Sequence, residues 1–121
     1  MAKVAVVAVL FVVGFSRQAK AELSTFELGL FVAAETSLTV DMLQTTSAMH
    51  AGLRESNPLL GQHPSDGKIA AYFGGCMLAT AAATYLLPDG MQGLPSVLVL
   101  MVQVPQIVSN GGVRWGFRLP F

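Results

Sequence analysis

Apolar positions gather in three long stretches after residue 21, and polar residues gather in the connections between them. The pattern predicts helices over about 25–53, 68–87 and 95–108. Its punctuation agrees with that division. Asn57-Pro58 and His63-Pro64 close the first connection, Ser65 or Asp66 can cap the second helix, and Pro88-Asp89-Gly90 ends it. Pro95 suits the first turn of the third helix, and Asn110-Gly111-Gly112 reads as a stop.

The second helix is apolar all round and carries Tyr72 and Tyr85 near its ends, where amphipathic rings favour a membrane interface. It is long enough to cross a bilayer. Ala71, Gly75, Ala79 and Ala83 recur at every fourth position, so four small side chains form one stripe that admits a close neighbouring backbone. We read that stripe as a helix-packing seam. The third helix contains Pro105, which predicts a kink, and Gln103 and Gln106, which need partners at membrane depth.

The first helix is the polar one. At about 100° per residue, Glu27, Asp41 and Glu55 fall within about 40° of one another, with Ala34, Thr45, Ala48 and Gly52 on the same side. Asp41 and Glu35 are the two acids able to lie deep in a bilayer. Each costs about 2.5 to 3.5 kcal/mol at a helix centre, so this helix should not stand alone and needs other helices to satisfy it. An acid at that depth is a candidate for a proton or ion step. The plainer expectation is that Asp41 is protonated, or accepts hydrogen bonds from Thr45 and from Thr80 or Thr84.

The stretch "RESNPLLG", residues 54–61, predicts a tight exit from the first helix, because Pro58 cannot continue a helix and drives Asn57 out of the helical region. Leu59 and Leu60 then form an apolar foot on the membrane surface. Glu55, at a helix C-terminus, opposes the macrodipole and calls for a cationic partner among Arg54, Lys68 and Arg114.

Composition sharpens the class. The chain of 121 residues is 53% hydrophobic and 12% charged, against about 25% charged in soluble domains. Net charge is zero, with seven basic and seven acidic residues, which leaves no electrostatic footprint for nucleic acid. The single cysteine, Cys76, excludes an intrachain disulfide. Residues 1–21 combine Lys3, an apolar run from Val4 to Phe15 and Ala19-Lys20-Ala21, the layout of a signal peptide or an uncleaved signal anchor. The predicted fold is thus all-α, an integral membrane bundle of three transmembrane helices in residues 22–121, or four if the first segment is retained.

With the first helix starting outside, Arg54, Lys68, Arg114 and Arg118 all fall on the cytoplasmic side. That arrangement predicts an inner (cytoplasmic) membrane protein with its mature N-terminus outside and its C-terminus in the cytoplasm. Arg114, Trp115 and Arg118, with Phe117 and Phe121, have the composition of an interfacial anchor. His50 lies opposite Asp41 on the helix and His63 is in the loop, so no metal site is expected, and no cofactor motif occurs. No serine elbow or phosphate-cradling loop is present, and the reading leans against an enzyme without deciding it.

Asp41, Thr45-Thr46, Gly52, Glu55, Asn57-Pro58, Gly61 and His63-Pro64-Ser65 together resemble the D, TT, E-x-NP-x-x-G-x-x-P pattern of small polytopic membrane proteins encoded by bacteria and their phages. The resemblance covers about residues 36–87. It implies the membrane architecture and no established activity. The function expected is association, with lipid around the chain and other membrane subunits or a second copy as partners, in the manner of an accessory or assembly subunit. The alternatives are a membrane-permeabilising, holin-like oligomer with Glu27, Asp41 and Glu55 facing water, and a proton-coupled carrier or intramembrane enzyme using Asp41. A soluble secreted helical protein is the reading that the weak first and third spans leave open.

Overall fold

A computed structural model describes residues 23–112, with side chains through Asn110. The expected signal segment and the Arg114, Trp115 and Arg118 anchor lie outside the described residues. Within them the fold is all-α, with helices α1 (Thr25–His50), α2 (Asp66–Leu86) and α3 (Leu94–Gly112) and no strand.

Helix α1 begins at Ser24 through a reciprocal cap. The Ser24 hydroxyl accepts from the Glu27 N–H at 3.2 Å, and the Glu27 carboxylate accepts from the Ser24 N–H at 3.1 Å. Two donors that a helix start leaves orphaned are satisfied at once. The helix ends at His50, three residues before the expected Leu53, because Gly52 takes a left-handed conformation with φ of 79°. Gly52 N–H then bonds the Met49 carbonyl and Leu53 N–H the Ala48 carbonyl, each at 3.0 Å, closing the helix as glycine C-terminal caps do.

The connection turns at Asn57-Pro58 as expected. The Glu55 carboxylate accepts from the Asn57 N–H at 2.8 Å, and the Asn57 side chain accepts from the Leu59 N–H at 3.0 Å. The two leucines divide, however: Leu59 stays exposed while Leu60 is buried in the core, so there is no paired apolar foot. Ser65 caps α2 by accepting from the Lys68 N–H. That helix stops at Leu86, since Pro88 holds Leu87 extended.

Helix α3 runs past the expected stop. Asn110 lies in its last turn, and Pro105 is carried inside it. The predicted end failed because Asn110 has a partner on α1, which a local reading of a polar residue before two glycines does not contain.

Helix α1 packs against both of the others, and α2 and α3 touch one another least. Contacts at the ends give an up-down-up course. His50 meets Asp66 at the start of α2, and Gly93, just before α3, lies against α1, where an added Cβ would stand 3.2 Å from Leu30 and 3.4 Å from Glu27. The α1–α2 interface is the apolar core, made of Leu38, Met42, Leu60, Ile69, Phe73 and Met77. The α1–α3 interface is the more extensive of the two and carries polar groups, with Asp41, Gln44 and Thr45 of α1 buried on that side.

By length and composition α2 is the one described helix able to cross a membrane, while Leu94–Asn110 of α3 is a shorter apolar helix. Three membrane crossings are therefore not established by the helices themselves.

Candidate polar cavity and outer face

The acidic stripe of α1 meets the loop and α3 in a cavity of about 270 Å³. Asp41 and Thr45 come from α1; Glu55, Ser56 and Asn57 come from the turn. Tyr72 and Phe73 of α2 and Gln103 and Gln106 of α3 complete the walls. Asp41 is 7% exposed and Thr45 4% exposed, and the Asp41 and Glu55 charges are near enough to interact. Sequence spacing thus placed Asp41, Thr45 and Glu55 on a common side, and the turn folds Glu55 and Asn57 back toward it.

The hydrogen bonds differ from those expected. Asp41 accepts from the Asn110 side-chain amide at 3.3 Å, and the same amide reaches Gln44 at 3.2 Å. Gln106 in turn donates to Asn110 at 3.1 Å. Thr80 donates instead to the Cys76 carbonyl, and the buried Thr84 hydroxyl has no partner, so neither serves Asp41. Asn110, Gln44, Ser56 and Tyr72 are site residues that sequence reasoning missed. Only the need of Gln103 and Gln106 for partners pointed toward α3.

Glu55 also lacks the expected cation among the described residues. Lys68 donates its ammonium to the Leu60 carbonyl at 2.7 Å, and Arg54 is exposed. The described ion pair is elsewhere, between His50 and Asp66 at 3.0 Å, at the exposed junction of α1 and α2. His50 thereby has a partner, and no metal-binding group of side chains occurs among the described residues. Glu27, near Gly93, and Asp41, bonded to Asn110, both lie toward α3, and Asp41 is buried there, so the acids do not form one exposed face.

Glu35 is separate from the cavity. It is 1% exposed, stands near Cys76 of α2, and neither carboxylate oxygen has a hydrogen-bond partner. Burying such a group unpaired is costly, so Glu35→Leu is expected to stabilise the isolated chain by about 1 to 3 kcal/mol. Thermal unfolding followed by circular dichroism reads the effect. A fall in stability would mean that Glu35 has a native partner outside this chain.

The small-residue stripe faces outward. Ala71, Gly75, Ala79 and Ala83 are all exposed, whereas α2 buries Ile69, Phe73, Met77, Thr80, Ala81 and Thr84. A Cβ added at Gly75 would meet nothing within 4 Å. Among the described residues the expected seam therefore has no helix against it. The internal contacts use the larger side chains because these fill the space against α1.

Comparison with known protein families, curated proteins and solved structures finds no match to this chain.

Proposed function

We propose that this chain is a small integral membrane protein that spans the inner membrane three times and works by association, as an accessory or assembly subunit of a larger membrane complex. One observation carries the reading: beside the apolar core, a set of polar groups is buried while many large apolar groups are left outside. Glu35, Asp41, Gln44, Thr45, Thr84 and Ser96 are buried. Leu78, Leu86, Leu98, Met101, Val102 and Val108 are between 54% and 79% exposed. Water does not favour that distribution, but lipid or a partner helix does. The outward stripe of α2 supplies the close-approach face that helix association in a bilayer uses.

The orientation proposed follows the basic residues: Arg54 is in the α1–α2 connection, Lys68 is in the first turn of α2 at the same end, and Asp89 is in the α2–α3 connection, which puts the first end inside and the second outside. The resemblance to small polytopic membrane proteins fits the same architecture.

The test is extraction of the tagged native protein in mild detergent, native electrophoresis and mass spectrometry of what co-migrates. The expected result is a discrete larger species containing other subunits. A lone chain would refute the association, and release by alkaline carbonate would refute membrane integration.

A second reading, a proton-coupled carrier or intramembrane enzyme, is favoured by the unpaired Glu35 and by the placement of Asp41 in a cavity. Retained function in Asp41→Asn would exclude ionisation there. A permeabilising oligomer is less well supported, since exposing Asp41 to a pore requires opening the α1–α3 contact that Asn110 holds.

A further inference from the structure

We propose that the cavity between α1, α3 and the Asn57-Pro58 turn binds the ammonium group of a small organic cation. The inference concerns a site within one chain, and stands whether or not the chain associates with others.

Thr45 supplies the first observation. Other α1 threonines turn their hydroxyls back to the helix: Thr36 donates to the Val32 carbonyl at 2.7 Å, Thr39 to Glu35 at 2.9 Å and Thr46 to Met42 at 2.8 Å. Thr45, equally in the helix and only 4% exposed, lines the cavity and makes no such bond among the described residues. A hydroxyl that lines a cavity and makes no bond to its own helix is one that a ligand or water there can satisfy.

Charge supplies the second. Asp41 and Glu55 both line the space, Asp41 is met by the neutral amides of Asn110, at 3.3 Å, and Gln103 and by no described cation, and the described cations are engaged or exposed elsewhere. Two carboxylates at a cavity wall favour a cationic occupant.

Size and wall chemistry then select the class. A volume of about 270 Å³ is several times the share of one water molecule, about 30 Å³, and exceeds what a bare metal ion fills. Apolar and aromatic walls from Leu60, Tyr72, Phe73 and Val102 suit carbon and favour a cation near ring faces. Carboxylates, a hydroxyl and amide oxygens from Gln103 and Gln106 are the acceptors that an ammonium group needs, while it offers donors only. Such a group can come from a free amine or from the headgroup of an amino lipid.

The experiment is calorimetric titration of the purified full chain, in micelles free of amino lipid, with 1,4-diaminobutane. Saturable binding near one per chain is expected, weakened at least tenfold by Asp41→Asn and by Glu55→Gln. Thr45→Val should weaken it several-fold and Thr45→Ser restore it, which separates a lost contact from a lost fold; circular dichroism confirms helix content for each. Competition by vesicles of phosphatidylethanolamine, and not of phosphatidylglycerol, would identify the headgroup as the source; its absence would identify the free amine. The proposal is overturned if diaminobutane shows no saturable binding, or if binding ignores both acids. It is equally overturned if sodium binds with the same residue dependence and the amine does not.

Discussion

Phe73→Ala is expected to destabilise the isolated chain by about 3 to 5 kcal/mol, the usual cost of deleting a buried aromatic ring. Phe73 is 2% exposed, sits in the cluster of Leu38, Met42, Leu60, Ile69 and Met77, and also forms part of the polar cavity wall. Its ring meets Tyr72 edge to face at 5.2 Å. That cluster joins α2 to α1, and a domain of this size has about 5 to 15 kcal/mol in total, so the loss is a large fraction of the whole. Phe73→Leu keeps most of the volume and should cost less than about 1.5 kcal/mol. Denaturant titration in a fixed detergent measures both. A loss below about 1 kcal/mol for the alanine variant would mean that the α1–α2 packing described above is not what holds the helices together.

The second large effect falls on association and spares the fold. Gly75→Leu with Ala79→Leu should reduce recovery of the larger species at least tenfold, equivalent to about 1.4 kcal/mol or more, because branched side chains prevent close approach of a partner helix. Both positions are exposed in the single chain and Gly75 has open space beside it, so helix content and thermal unfolding of the isolated chain should be unchanged or slightly improved. Leu98→Phe on the exposed side of α3 serves as the comparison and should leave the complex intact if lipid covers that face. Unchanged co-migration of the α2 double variant would remove the stripe from the interface. Loss of helix content would instead show that the stripe acts inside the fold.

The two α2 predictions separate the faces of one helix. Hydropathy alone could not do so, since α2 is apolar all round and nothing in its local pattern distinguishes the side that meets α1 from the side that does not. The small residues do carry information, because close approach requires them, but they do not say which backbone approaches. In the fold, α1 takes the side of α2 with Phe73 and Met77, and the stripe remains outside.

Helix α1 was more legible. A common side for Asp41, Thr45 and Glu55 follows from helical spacing and a turn, and the cavity contains all three. The partner did not follow. Asn110 reads locally as a terminator before two glycines, yet its amide bridges Asp41 and Gln44 across sixty-nine and sixty-six positions of chain. Contacts of that range are set by how α3 lies against α1, and no local pattern encodes them.

Sequence by itself determined the three helices, the Asn57-Pro58 turn, a cap at Ser65 or Asp66 and the shortage of charge, because capping, backbone restriction by proline and helical periodicity act over a few residues. Tertiary structure alone decided that Leu60 enters the core, that Gly93 lets α3 start against α1, that the α2 stripe faces outward, and that Glu35 is buried unpaired. Those outcomes depend on which surfaces meet and fill space together, a property of the packed bundle that no single segment carries.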